Sequence, residues 1–128
     1  MIKRTVIVAL LFAHLSLQCP SLWASSPEYF NQVVDAIYFA EGGPKAKIPY
    51  GILSVRVSSK EEARSVCYGT VKNNYARWLK SGQRVPFLEF LGARYCPVGA
   101  TNDPNGLNRH WVKNVRYYLN KIEKENKK

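Results

Sequence analysis

Apolar residues recur at helical spacing in the segment that follows residue 25. The members of this stripe are Phe30, Val33, Val34 and Ile37. Ser26 is a favourable N-cap, Pro27 suits the first helical position, and the pair Gly42-Gly43 supplies a stop. The pattern therefore predicts a first helix that runs from about residue 27 to these glycines.

A second amphipathic helix is predicted to begin at Ser59. The spacing between Ser59 and Glu62 is that of a capping box, in which each residue bonds the backbone of the other. Residues with small, apolar or aromatic side chains then form one broad face as far as Lys80. This helix is the longest that the sequence predicts.

The C-terminal third of the chain predicts two more helices. Residues 86–92 are almost wholly apolar and indicate a short, buried helix. The last helix is predicted to start near Leu107 or Asn108. Its apolar face consists of Trp111, Val112, Val115, Tyr118, Leu119 and Ile122.

The connecting segments are predicted to be irregular. Residues 44–57 contain prolines and glycines and then alternate in Ser54-Val55-Arg56-Val57, which indicates a small hairpin or extended chain. Residues 94–107 are rich in turn formers. The chain is therefore mainly α-helical, with little strand, and residues 25–128 are long enough for one domain with one core.

The first 24 residues have the composition of an export signal. Lys3 and Arg4 form a positive start, an apolar run follows over residues 6–13, and Ala24 offers a small residue at the cleavage position. A membrane anchor is the alternative, but polar residues interrupt the run before the ~20 residues that a span needs. We therefore expect residues 1–24 to be removed, no membrane span to remain, and residues 25–128 to act in the periplasm or outside the cell.

The net charge of the chain points to an anionic partner. The formal charge is +10, and removal of the two cations Lys3 and Arg4 leaves +8 on residues 25–128. Cell-wall polymer, acidic lipid and nucleic acid all fit such a charge, but export argues against nucleic acid. We expect a monomer that binds peptidoglycan or another anionic polymer of the cell envelope.

Cysteine usage fits the same compartment. Cys67 and Cys96 are the two cysteines after residue 24, and an even pair in a small exported domain predicts one disulfide. Two buried free thiols are the alternative. His110 is the single histidine after residue 24, so no cluster of cysteine and histidine has metal-ligand spacing. The sequence predicts neither a metal site nor a cofactor.

Glu41 is the most informative residue in the sequence. It lies one step of four beyond Ile37, so a carboxyl group falls on the apolar stripe at the end of the first helix. Burial and the negative end of the helix dipole both raise the pKa of such a carboxyl group. A carboxylic acid that stays protonated near neutrality can act as the general acid that cleaves a glycosidic bond. The alternative is that Glu41 pairs with an arginine or lysine, or caps a neighbouring helix.

Residues 36–53 resemble the lysozyme and lytic transglycosylase superfamily. The similarity lies in Ala36-Ile37-Tyr38-Phe39-Ala40-Glu41-Gly42-Gly43 and in Pro49-Tyr50-Gly51-Ile52-Leu53. In those folds the catalytic Glu ends a helix, and a short hairpin with a Gly-hydrophobic motif forms the floor of the sugar cleft. Segments 73–78, 94–97 and 107–111 are also similar to a family of small exported bacterial proteins. The sequence departs from transglycosylases at Gly42, where they usually have Ser, and at Ile52-Leu53-Ser54, where they carry a Gly-Leu-Met-Gln type strand.

The resemblance implies a fold, an activity and a set of site residues. The fold would be a lysozyme-like helical domain with a small hairpin or extended segment after the first helix. The activity would be cleavage of peptidoglycan glycan strands, by a lytic transglycosylase or a muramidase, with Glu41 as the single general acid and base. The residues expected to bind substrate are Tyr50, Gly51, Ser54, Tyr95, Asn105 and Asn108. For each of them a turn, a cap or core packing is the alternative role.

Two other classes of function remain open from the sequence. One is a non-catalytic exported module that binds wall glycan or an envelope protein, which a buried, salt-bridged Glu41 without a groove would favour. The other is a basic membrane-active protein. The absence of a strongly amphipathic cationic helix outside the C-terminal tail argues against it.

Overall fold

Helices dominate the structure. The computed structural model describes residues 25–128, so the predicted export signal, residues 1–24, lies outside the described residues. Within this range the four α-helices are α1 (Pro27–Ala40), α2 (Lys60–Lys80), α3 (Phe87–Tyr95) and α4 (Trp111–Asn126), with short 3-10 turns at Gly43–Lys45, Pro49–Gly51 and Leu107–His110. No strand forms between residues 25 and 128, which confirms the mainly helical class. None of the helices in this range is long and apolar enough to cross a membrane.

The ends of α1 and α2 are set by local sequence. The side chain of Ser26 accepts a hydrogen bond from the backbone N–H of Tyr29, at 3.1 Å, and Ser59 accepts one from Glu62 at 3.0 Å. The carboxylate of Glu62 accepts hydrogen bonds from Ser58 and not from Ser59. One half of the predicted capping box is therefore formed by Ser59, and the other half involves the residue before it. These side chains satisfy N–H groups that have no partner inside the helix.

The core lies where α1 packs against α4 and α2, while α3 contacts both α2 and α4. Its fully buried side chains are Ile37, Leu91, Val33, Val34, Val71, Val115 and Cys67. Each of the four helices contributes at least one residue to this set, so the apolar faces predicted from the sequence meet in one core. The 3-10 turn Pro49–Gly51 packs on α1 and α2 and covers one end of the core.

One predicted connecting segment and two predicted helix ends need correction. Of the two alternatives predicted after the first helix, a small hairpin or extended chain, the hairpin is not formed: the chain folds into two 3-10 turns and then continues to residue 59 without regular structure. The third helix extends to Tyr95, three residues beyond its predicted end. The last α-helix begins at Trp111, after a 3-10 turn over Leu107–His110.

The predicted disulfide between Cys67 and Cys96 is also absent, since both residues are free thiols. Cys67 is fully buried on α2. The group that lies against its sulfur is the hydroxyl of Tyr95, the residue before Cys96, at 3.6 Å. The alternative of two free thiols therefore describes the structure, with the difference that Cys96 is only half-buried.

Candidate functional site

Glu41 caps the C-terminus of α1. Its backbone N–H bonds the carbonyl oxygen of Ile37 at 2.9 Å, and the chain turns away at Gly42, whose φ of 107° is left-handed. A glycine adopts this conformation at little cost. The side chain of Glu41 consequently leaves the helix at the boundary between the core and the surface, where it is half-buried.

The indole of Trp111 holds the carboxyl group of Glu41. The indole Nε1–H donates a hydrogen bond of 2.7 Å to Oε1 of Glu41. Trp111 reaches this position because α3 and α4 approach closely at Gly92: a Cβ at residue 92 would lie 2.6 Å from Cγ2 of Val112 and 3.1 Å from the Trp111 ring. No described residue donates a hydrogen bond to Oε2 of Glu41, so that oxygen is free to carry a proton.

Gly51 lies directly against the carboxyl group. A Cβ added there would be 2.6 Å from Cδ and from Oε2 of Glu41. The φ of Gly51 is +64°, which L side chains rarely adopt. Residue 51 must therefore be glycine for both reasons, and its lack of a side chain leaves the carboxyl group accessible from the groove described next.

Two adjoining cavities form one groove over Glu41. The first, which we call the acid half, has a volume of about 320 Å³, and the second, the arginine half, about 310 Å³. The acid half is lined by Glu41, Lys47, Ile48, Gly51, Leu53, Tyr95, Cys96, Pro97, Asn102 and Asn108. The arginine half is lined by Gly51, Ile52, Leu53, Ser54, Val55, Val66, Thr70, Arg94, Tyr95 and Asn102. Four residues, Gly51, Leu53, Tyr95 and Asn102, belong to both halves, so the groove is continuous.

Tyr95 forms the wall between the core and the groove. Its hydroxyl donates a hydrogen bond to the carbonyl oxygen of Tyr50, and its ring stacks on Trp111 with centroids 5.1 Å apart. The same ring therefore fixes the 3-10 turn that carries Gly51 and the indole that holds Glu41. The desolvation that comes with this position raises the pKa of Tyr95, so the phenol stays protonated and keeps its donor.

The carboxyl group of Glu41 is partly buried and forms no ion pair with another described residue. Burial raises the pKa of Glu41 above its ordinary value of 4.5, and the hydrogen bond from Trp111 opposes this rise because it stabilises the carboxylate. The ion pairs formed between described residues are Arg64–Asp35 and Arg116–Glu89, and neither involves Glu41. The alternative in which Glu41 is locked by an arginine or lysine is therefore not what residues 25–128 form.

The structure brings together most, but not all, of the residues expected to bind substrate. Gly51, Ser54, Tyr95 and Asn108 line the groove. Tyr50 does not, because its side chain is only 2% exposed and belongs to the core, so its ring is not available to stack on a sugar. Asn105 is exposed in the 97–108 loop and lines neither half of the groove.

Asp103 organises the loop that closes the acid half. Its side chain is buried, and its two carboxylate oxygens accept hydrogen bonds from the backbone N–H groups of Gly99 and Asn108, at 3.1 and 3.2 Å. The side-chain amide of Asn108 donates to the carbonyl oxygen of Pro97 at 2.8 Å. Asp103 is therefore committed to holding the backbone and is not a second catalytic carboxylate.

Several residues of the site were not predicted from the sequence, among them Trp111, Lys47 and Arg94. The apolar face of the last helix predicted that Trp111 is buried, and a buried indole N–H needs an acceptor, but nothing local identified Glu41 as that acceptor. Lys47 and Arg94 were two cations among many. Among residues 25–128 no three side chains of His, Cys, Asp and Glu are grouped so that they could hold a metal ion.

Comparisons with protein-family profiles, with curated proteins and with solved structures found no match to this chain.

Proposed function

We propose that this chain is an exported lysozyme-like enzyme that cleaves the glycan strands of peptidoglycan, with Glu41 as its single general acid and base. The observation that carries the proposal is a half-buried carboxyl group, without an ionic partner among residues 25–128, beside a continuous groove. A carboxyl group that is costly to ionise and open to a polymer suits proton donation to a glycosidic oxygen.

The hydrogen-bonding of Glu41 suggests how the reaction would run. With Oε1 held by Trp111, Oε2 carries the proton and donates it to the bridging oxygen as the bond between that oxygen and C1 breaks. The carboxylate that results then takes a proton from the nucleophile that attacks C1. In a transglycosylase the nucleophile is a hydroxyl of the same sugar, which forms a 1,6-anhydro ring, and in a hydrolase it is water.

A mechanism with one acid fits the residues that line the groove better than a mechanism with two. Glu41 is the one acidic residue among the described residues that line either half. Retaining and inverting glycosidases require a second carboxylate across the scissile bond, and Asp103 is occupied by the backbone. The absence of a second acid from the lining favours transglycosylase chemistry, in which the substrate supplies the nucleophile.

The rim of the groove supports a sugar ligand. Leu53 lines both halves and its side chain is 60% exposed, and Ile48 and Val55 are also exposed beside it. Pyranose rings present apolar C–H faces that can pack on such side chains, while Asn102, Ser54 and Thr70 supply polar groups in the same groove. This mixture of apolar and polar lining is typical of sites for small and polymeric ligands.

The test compares the purified protein with its Glu41→Gln variant on isolated peptidoglycan, with released fragments identified by mass. Glu125→Gln is the matched control, since it removes an exposed carboxylate near the C-terminus of α4. We expect soluble muropeptides with 1,6-anhydro ends from the wild type and from Glu125→Gln, and none from Glu41→Gln. If all three proteins are folded and none releases fragments, the enzymatic function is refuted and a glycan-binding module becomes the better description.

A further inference from the structure

Each half of the groove carries one cation. Lys47 lines the acid half and Arg94 lines the arginine half, and both side chains are exposed. Neither takes part in an ion pair with another described residue. An incoming anion could therefore bind either cation without breaking an existing pair.

No negative charge in the groove balances these two cations. Glu41, the one acid among the described lining residues, is neutral in the form that donates a proton. The carboxylate of Asp103 is buried and bonded to two backbone N–H groups. The groove that is ready to react is therefore net positive, and it favours a ligand that places a negative group in each half.

We infer that the groove selects glycans that carry carboxylate groups, and that Lys47 binds such a carboxylate in the acid half and Arg94 one in the arginine half. This inference rests on the proposed function and narrows its substrate to acidic glycans. In peptidoglycan the carboxylates come from the lactyl ether of the muramic acid ring or from the peptide stem attached to it. Arg94 can bind such a group with two parallel N–H donors, whereas Lys47 acts as a point charge.

The experiment measures cleavage of three glycans that differ in their carboxylates. Intact peptidoglycan strands carry the carboxylates of their peptide stems, amidase treatment removes the stems and frees the lactyl carboxylate, and chitin oligosaccharides carry neither. We expect both peptidoglycan substrates to be cleaved and the chitin oligosaccharides to have a KM at least about tenfold higher. A KM that rises when the peptides are removed assigns the bound carboxylate to the peptide stem, and a KM that falls assigns it to the lactyl group, whose carboxyl is an amide as long as the stem is attached.

Charge-neutralising variants test the two residues separately. Lys47→Gln and Arg94→Gln should each raise the KM for the preferred strand on the order of fivefold, with little change in kcat, and should weaken its salt dependence. Neither variant should alter the KM for chitin oligosaccharides. Lys72→Gln and Arg84→Gln are the matched controls, because both residues are exposed cations that line neither half of the groove.

Equal cleavage of chitin oligosaccharides and peptidoglycan strands would overturn the inference while leaving the proposed cleavage intact. A binding assay further separates the inference from the proposed cleavage activity. The catalytically impaired Glu41→Gln protein should co-sediment with insoluble peptidoglycan more strongly than with chitin, and addition of Arg94→Gln to this variant should make the difference smaller. If peptidoglycan is not cleaved but this preference is observed, the proposed function fails and the selectivity for carboxylated glycan stands. If the preference is absent, the inference fails.

Discussion

The indole N–H of Trp111 donates a 2.7 Å hydrogen bond to Oε1 of Glu41 and so joins the first residue of α4 to the residue that ends α1. The contact does two opposite things to the acid. It orients the carboxyl group at the base of the groove, and it lowers the pKa that burial raises. Removal of the indole should therefore change both the position and the acidity of Glu41.

Trp111→Phe is expected to raise the pKa of Glu41 further, because the variant loses a donor that stabilises the carboxylate. The pH at which cleavage falls by half should move upward, and kcat should fall by about tenfold because Glu41 is held less firmly. The carboxyl carbon of Glu41, followed by NMR titration, measures the pKa without reference to activity. A downward move of that titration would contradict the assigned role of the indole.

Glu41→Gln is expected to be more stable than the wild type at neutral pH. The pKa of Glu41 is 4.5 in the unfolded chain and higher in the folded protein. At a pH between the two pKa values, the folded protein therefore binds more protons than the unfolded chain. Wild-type stability therefore falls as pH rises through that window and stays lower above it. Glutamine does not titrate and can still accept the hydrogen bond from Trp111.

The measurement is urea unfolding of both proteins between pH 3.5 and 7.5. The difference in free energy of unfolding between Glu41→Gln and the wild type should be small at the acidic end and grow in favour of the variant towards neutrality. Glu125→Gln, whose side chain is exposed, should show no such trend. A gap that closes instead of opening as pH rises would mean that Glu41 is stabilised as a carboxylate.

Gly51→Ala tests the close approach of the turn to the acid. The new Cβ would lie 2.6 Å from Cδ of Glu41, so the carboxyl group must move. Gly82→Ala is the matched control, since Gly82 also has a positive φ, of 83°, but a Cβ there meets nothing within 4 Å. Both variants should lose about 1–2 kcal/mol of unfolding free energy from backbone strain.

Cleavage should separate the two glycine variants. Gly51→Ala should lose about a hundredfold in kcat/KM, because a displacement of the acid by an ångström has an effect of that order. Gly82→Ala should keep wild-type activity at temperatures where it is folded. Equal activity of the two variants would show that the position of the carboxyl group beside Gly51 is unimportant.

Thiol labelling tests the free cysteines. Burial raises the pKa of Cys67 to about 12 and that of Cys96 to about 11. At pH 8 both are therefore almost wholly protonated and react slowly with iodoacetamide. We expect the half-buried Cys96 to be labelled first and Cys67 only after unfolding, as read by peptide mass. An intact mass lower by two hydrogens, with no labelling of either residue in denaturant, would show that a disulfide is formed.

Features that depend on neighbouring residues were predictable from the sequence. Ser26 and Ser59 cap their helices as expected, and the glycines after Glu41 end α1, because caps and stops act over three or four residues. The half-buried position and raised pKa of Glu41 also followed from one step along the apolar stripe. Periodicity places a residue on one face of a helix, and the position of Glu41 on the apolar face was sufficient to predict its burial and the direction of its pKa shift.

Features that depend on distant partners were not predictable. Nothing near Tyr50 signals that its φ is +61°, and this conformation accompanies its burial in the core rather than in the groove. The alternation over residues 54–57 resembles a strand, but no partner strand is present among residues 25–128 to pair with it. Two cysteines in a small basic domain favoured a disulfide, yet the hydroxyl of Tyr95 lies against the sulfur of Cys67.

The hydrogen bond between Glu41 and Trp111 spans 70 residues of chain, and the one between Tyr95 and Tyr50 spans 45. Contacts of such long sequence separation close large loops and form late in folding, after local helices. A chain in which these helices are formed but not yet packed on one another would lack the groove and the hydrogen bond from Trp111 to Glu41. The candidate site therefore exists only in the completed fold. In a partly folded chain Glu41 would be solvated and would not be held by Trp111, so its pKa would not be raised by burial.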